Sequence, residues 1–289
     1  MATTAEEAFS VFLAWLAPRQ EEEMLAARRR AIVEPVAHLL GARAALDVGS
    51  FSRGTAVHQL SGADYFLWLP SRHPFSSERA IAEVRRAAQE VAPEADVRIR
   101  RPGVVVDFPK HGPSVTLIPA YAPHKVVGED VSFRIPGVGR DDWLRTNPVA
   151  QQHWFDDCQR RSGARGSVSG LARLAKAWQH YRSVPLSRFY LEVRAAAFMA
   201  ERDTVVYPRE VRRFFAELVE DGLAPVPDPT GRGSVHACVD EESRVFALTQ
   251  IANAEERAGW ALMEQRVGTV AGSFEHWSRL FGGNFPAYH

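Results

Sequence analysis

Cysteine is scarce. Cys158 and Cys238 are the two in 289 residues, too few and too far apart for a disulfide framework or a thiolate metal site. Neither sign of charge is in excess: Lys plus Arg and Asp plus Glu both number 35, for a formal net charge of zero. That excludes a generic nucleic-acid coating protein, whose phosphate partner demands a basic surplus. No stretch approaches the roughly 20 uninterrupted apolar residues of a membrane span. Internal repeats and low-complexity tracts are missing as well. The N-terminal residues are acidic at Glu6 and Glu7 and lack the basic-then-apolar order of a secretory signal. The expectation is a soluble protein of the reducing cytoplasm, with no membrane and no stable nucleic-acid partner. What is present, 46% hydrophobic and 24% charged residues, is a globular rather than a disordered mixture.

The first segment, Ala5 to Leu40, has helical periodicity interrupted at Pro18. In it Glu21, Glu22 and Glu23 precede Arg28, Arg29 and Arg30, an order that suits the helix dipole. A strand-rich region follows. Ala45–Val48 leads into Gly49-Ser50-Phe51-Ser52-Arg53-Gly54-Thr55. Asp64–Leu69 is aromatic-rich, Val97–Arg100 alternates, and Val104–Phe108 and Val115–Ile118 are β-branched runs split by a turn at Pro109–Pro113. Ser77–Val91 reads as a helix among them. From Asp141 the pattern is helical: Val149–Arg160, Leu171–Arg182, Ser187–Ala200, Pro208–Asp221, Glu241–Arg266 and Ser273–Phe281. Gly163 to Gly170 reads as a loop and Pro225–Pro229 as a rigid spacer. The predicted organisation is α+β: a lobe at 1–140 with the N-terminal helix, a mixed sheet and flanking helices, and a helical lobe at 141–289, with a cleft expected between them.

The stretch that carries chemistry is Gly49–Thr55. A Gly-Ser turn leaving a strand and opening a helix presents backbone N–H groups and a hydroxyl to an anion. It is not a P-loop, because Thr55 stands where that motif needs its lysine. For nucleotidyl transfer, a carboxylate-bearing strand should follow about ten residues later, since that reaction uses two divalent ions bridged by Asp or Glu.

Gly49-Ser50-Phe51-Ser52-Arg53-Gly54-Thr55 resembles the signature of the polymerase-β-like nucleotidyltransferases. More narrowly it resembles the cGAS/DncV-like nucleotidyltransferases (CD-NTases) of bacterial CBASS anti-phage systems. The resemblance continues at Val97–Pro102, Val104–Phe108, Ile118-Pro119-Ala120, Leu171–Trp178 and Phe189–Glu192, and reaches Phe285–Tyr288. It implies a polymerase-β-like fold and a synthase that makes a cyclic or linear oligonucleotide messenger from NTPs such as ATP and GTP, with Mg²⁺ or Mn²⁺. It also implies CBASS regulatory or effector proteins as partners. By the same resemblance Gly49 and Ser50 contact phosphate, Lys176 holds the triphosphate with Arg173 one turn earlier, Tyr190 stacks on a base, and Asp64 binds metal.

The departures matter as much. The family's strand reads Ser-Asp-Val-Asp-Tyr-Phe; here it is Ser61-Gly62-Ala63-Asp64-Tyr65-Phe66. Gly62 stands where the first metal carboxylate belongs, and Thr116 where the third does. A strand glycine can instead mark a close backbone approach to a ligand. Asp107 is the candidate replacement ligand: a register placing it opposite Thr116 brings both to one face, and a one-residue shift turns it away. Ser169 and Gly170 replace lysines the family carries before the Lys176 helix. His58 and His153 read as structural, and Trp15, Trp68, Trp143 and Trp154 as packing. Three functions compete: an active synthase with an impaired metal site, a degenerate homologue that binds nucleotide or a partner as sensor or scaffold, and an RNA-tailing enzyme, which the neutral charge disfavours.

Overall fold

The computed structural model describes residues 2–18, 21–70, 72–108, 112–122, 131–137, 142–231 and 233–288. Helices α1 (Ala5–Leu16), α2 (Glu21–Arg28) and α3 (Glu34–Leu39), the last two joined by a π-helical turn at Arg29–Val33, precede strand β1 (Ala44–Val48). Then come α4 (Gly49–Ser52), β2 (Ala63–Leu69), α5 (Ser77–Val91), β3 (Asp96–Arg100), β4 (Gly103–Asp107), β5 (Val115–Tyr121), β6 (Phe133–Pro136) and β7 (Trp143–Thr146). The rest is helical apart from one short ladder: α6 (Pro148–Arg161), α7 (Ser167–Tyr181), α8 (Arg188–Met199), α9 (Tyr207–Glu220), α10 (Glu241–Arg266) and α11 (Val270–Leu280). This is the mixed α+β sequence of elements expected.

The chain divides into two compact units. One is Pro18–Trp154; the other joins Met1–Ala17 to Phe155–His289. The N-terminal helix therefore belongs with the helical unit, and the division falls inside α6 rather than at 140. The cause is apolar. Thr4 and Glu7 form a capping box that starts α1, and α1 then buries Phe9, Phe12 and Leu16. Phe9 meets Trp277 edge-on at a centroid distance of 4.9 Å and Phe12 meets Phe281 at 4.9 Å, a geometry that adds to the area buried.

In the sheet unit the strand order is β1-β2-β5-β4-β3, with β6 against β5 and β7 against β6. β2 and β5 are parallel; the other pairs are antiparallel. Side chains alternate across the sheet. Tyr65, Leu67, Val104, Val106, Val115 and Leu117 join Ile81 and Val84 of α5 and Ile32, Val33 and Val36 in one core. Phe66, Ile118, Ala120, Phe133 and Ile135 form a second on the opposite face. β6 and β7 were not foreseen; each is four residues long, too short for an alternation signal. The stretch 225–229 is not only a spacer, since Val226–Pro227 pairs with Ser234–Val235. Position 170 is not loop but lies inside α7, which starts at Ser167.

Candidate functional site

The Gly49–Thr55 turn forms as its sequence suggests. β1 ends at Val48, and Gly49 turns the chain with φ of +82°, a conformation open to glycine without strain. The turn closes on itself: Thr55 N–H donates to Ser50 O at 2.9 Å, and the Ser52 hydroxyl donates to Gly49 O at 2.9 Å. Thr55 is fully buried beneath it. Gly49 has a second reason to lack a side chain. The Asp64 carboxylate occupies the space a Cβ there would fill. The structure thus brings together Gly49, Ser50 and Asp64, three of the residues singled out in the sequence.

Asp64 lies on β2 opposite Val48 of β1 on one side and opposite Thr116 of β5 on the other. Paired residues share a face, so Thr116 stands beside Asp64 with a hydroxyl where a second carboxylate is expected. Gly62 is a packing requirement. A Cβ on it would stand 2.5 Å from the Ser114 hydroxyl and 2.7 Å from the Ser114 carbonyl oxygen, and that carbonyl accepts the Ala63 N–H at 3.0 Å. The close approach at this glycine is made by the chain's own Ser114.

Asp107 does not replace the missing ligand. Thr116 is opposite Val105, not Asp107. Asp107 shares Asp64's face but lies two strands across and two residues along, roughly 12 Å away between Cα atoms at standard sheet spacing. Its carboxylate accepts from Arg98 at 2.9 Å, and Arg98 also donates to Asp96 at 2.8 Å. An octahedral Mg²⁺ has ligand distances of about 2.1 Å, so Asp64 and Asp107 cannot share one. Among the described residues no group of three or more His, Cys, Asp or Glu side chains is placed to hold a metal ion. The donor set here does not fit a resident pair of divalent cations.

In the helical unit two of the side chains expected to bind nucleotide are engaged within the protein. Lys176 is 3% exposed, and its ammonium donates to Glu192, itself 2% exposed, at 2.5 Å. The charge the resemblance assigns to a triphosphate is matched by a carboxylate. Tyr190 is fully buried, its hydroxyl donating to Ala224 O at 2.9 Å. It has no free ring face for a base, and burial pushes its phenol above the ordinary range. Arg173 is half-buried, and burial holds its guanidinium below the usual value, opposed by the nearby Tyr207. The Tyr207 hydroxyl fills the space beside Gly170, so a lysine at 170 has no room. His58 is structural as expected: its Nδ1 lies 2.6 Å from Oε1 of Glu21, a carboxylate that also accepts Gln59 N–H at 2.9 Å.

Sequence reasoning missed a cavity of about 480 Å³ beside Gly62. Glu21, His58, Ser61, Asp107 and Ser114 line it. Nothing in the sequence marks it, because Glu21 arrives from a distant helix and its run of three glutamates reads as a solvated surface.

No protein family model matches the chain. Among curated proteins it is similar to a probable cyclic nucleotide synthase of Bacillus cereus, 21% identical over 196 residues. That match takes in 68% of this chain but only 58% of the relative's length. Among solved structures it is similar to Escherichia coli MS115-1 CdnC, solved with ATP and also in complex with HORMA-deltaN. The TM-score is 0.76 at 16% identity, over 98% of this chain and 99% of CdnC in the ATP structure. Vibrio cholerae DncV cyclic AMP-GMP synthase, solved with its linear intermediate, aligns over 84% of this chain and 70% of its own, with a TM-score of 0.67 at 13% identity. The chain therefore shares the fold of CdnC and DncV.

Proposed function

We propose that the chain works as a nucleotidyltransferase of the cyclic-nucleotide-synthase type that takes nucleoside triphosphates at the Gly49–Thr55 turn, with turnover strongly curtailed by its missing carboxylates. The observation that carries this reading is the lodging of Asp64 against Gly49 in a fold shared end to end with CdnC. In such a transfer a 3′-hydroxyl attacks the α-phosphate of a second nucleotide and pyrophosphate leaves. The turn's backbone N–H groups and the Ser50 hydroxyl hold phosphate oxygens. Asp64 orients the attacking hydroxyl by accepting its hydrogen bond. Gly62 and Thr116 supply none of the carboxylate charge that would hold cations against the negative charge developing on the phosphate. Loss of one preorganised electrostatic group costs on the order of 100-fold in rate, so two cost roughly 10⁴-fold. No step is routed through a resident Mg²⁺ or Mn²⁺.

The reading extends to partners and place. A regulatory protein of the kind seen with CdnC, and a role in cytoplasmic anti-phage defence within a CBASS system, follow from the same likeness. For the membrane the observation is limited: among the described residues no helix is long and apolar enough to cross one. A second reading, a nucleotide-binding sensor or scaffold without turnover, is favoured by one observation, the Ser114 backbone packed where the Gly62 side chain would project. Labelled ATP and GTP incubated with the chain, with Mg²⁺, Mn²⁺ or neither, separate the two. Slow product formation that Asp64→Ala abolishes supports the synthase. Calorimetric binding that Ser50→Ala weakens, with no product, supports the sensor. Neither binding nor product removes both.

A further inference from the structure

The helical unit carries a second cavity, rich in arginine. A cavity of about 630 Å³ opens between α9 and α10, lined in part by Arg209, Arg212, Arg213, Arg266, Gln265 and Glu6. Arg209, Arg212 and Arg213 lie three and four residues apart on α9 and so share a face. Arg266 enters from the last turn of α10. Four guanidiniums meet two carboxylates in the lining, the second being Glu255.

Two of the arginines are already fixed. Arg212 donates to Glu255 at 2.8 Å and lies against Gly259, its Nε 3.4 Å from where a Cβ would stand. Arg213 donates at 3.1 Å to Glu210, which is 3% exposed. Among the described residues no carboxylate comes within the 4.0 Å ion-pair distance of Arg209 or Arg266. Like charges at this spacing on a helix repel; Glu255 and Glu210 offset Arg212 and Arg213, and an anion would offset Arg209 and Arg266. Fixed guanidinium forks are also the preferred partners of phosphate oxygens, which they bind in pairs. Val206, Pro208 and Leu262 add apolar lining. The volume is that of an ordinary small-molecule site.

We propose that this cavity binds a small oligophosphate anion, a molecule with two or three adjoining phosphates, at a site separate from the Gly49–Thr55 turn. Arg209 and Arg266 are the arginines left to take its charge, and Arg212 and Arg213 are held to orient it. The apolar lining accommodates whatever organic portion the anion carries.

Calorimetry on the full chain with inorganic tripolyphosphate, and separately with ATP, tests this. The Arg209→Ala/Arg266→Ala variant is compared with wild type and with Ser50→Ala; both arginines are exposed, and a thermal scan checks that the variant folds. The expected result is saturable tripolyphosphate binding with one component that weakens at least tenfold in the double arginine variant and a separate component, at the turn, that weakens in Ser50→Ala. Tighter binding of ATP than of tripolyphosphate, through the same arginines, assigns a nucleotide as the source; equal binding assigns inorganic phosphate chains. Loss in Ser50→Ala alone means the anion sits at the turn and overturns the proposal while leaving the functional reading intact. Absence of tripolyphosphate binding, or binding of a duplex oligonucleotide in its place, also overturns it.

Discussion

Gly62→Ala tests whether the site lost its first carboxylate to packing. The new Cβ meets two atoms of Ser114, the hydroxyl at 2.5 Å and the carbonyl oxygen at 2.7 Å. The hydroxyl can swing aside by rotating about χ1. The carbonyl cannot, because it accepts the Ala63 N–H at 3.0 Å, so the β2 and β5 ends must part by about half an ångström to restore van der Waals separation. Overpacking of this kind costs about 1–3 kcal/mol and a weakened hydrogen bond about 0.5–1.5 kcal/mol. Both arise from one displacement, so we expect about 2 kcal/mol in all. Exchange of the Ala63 amide hydrogen reads it directly: 2 kcal/mol of lost local stability speeds exchange about 30-fold. Adding Ser114→Gly removes the hydroxyl but not the carbonyl, and should recover less than half. Exchange within threefold of wild type in Gly62→Ala would refute the reasoning. Full rescue by Ser114→Gly would assign the conflict to the hydroxyl alone.

Three further outcomes follow from other contacts. Lys176→Met leaves Glu192 buried without its partner and should cost about 3–5 kcal/mol in urea unfolding, whereas Lys176→Met with Glu192→Leu should return close to wild type; equal losses in both would contradict the pairing. Tyr190→Phe removes the bond to Ala224 and should cost about 1 kcal/mol with ATP affinity unchanged in calorimetry; an affinity loss would give the hydroxyl a role in nucleotide binding. Stability should fall as pH rises above about 9. Burial raises Cys158 to about 11 and Tyr65 and Tyr121 to about 12. Each group stays protonated when folded but ionises when unfolded at lower pH, so the unfolded state binds fewer protons across the gap and the slope is negative, with a loss of up to about 3 kcal/mol per tyrosine by pH 12. A melting temperature flat from pH 9 to 12 would contradict this.

The sheet was legible because its strands carry their period openly. Asp64–Leu69 and Val115–Ile118 appear within one to three residues of β2 and β5, and Ser77–Val91 matches α5 residue for residue. The Gly49–Thr55 turn was legible because its glycines have positions only they fill easily. The partners of Asp107, Lys176 and Tyr190 were not. Asp107 fell to a register two residues from the one that would serve, and register depends on the whole sheet. Lys176 and Tyr190 match a family pattern at their positions, but what each touches is decided by Glu192 and Ala224, residues with no local signature. The placement of α1 with the helical unit rests on aromatic contacts with Trp277, Phe281 and Phe285, over 260 residues away in sequence, where no periodicity can reach.

The most direct test of the account is the rate at which wild type and Thr116→Asp convert labelled NTPs to oligonucleotide product. Thr116 is paired with Asp64 across β2 and β5, so aspartate there restores a carboxylate pair without the conflict that Gly62 carries. Wild type should give trace product and Thr116→Asp roughly 100-fold more, abolished in both by Asp64→Ala. Rapid turnover by wild type, untouched by Asp64→Ala, would contradict it.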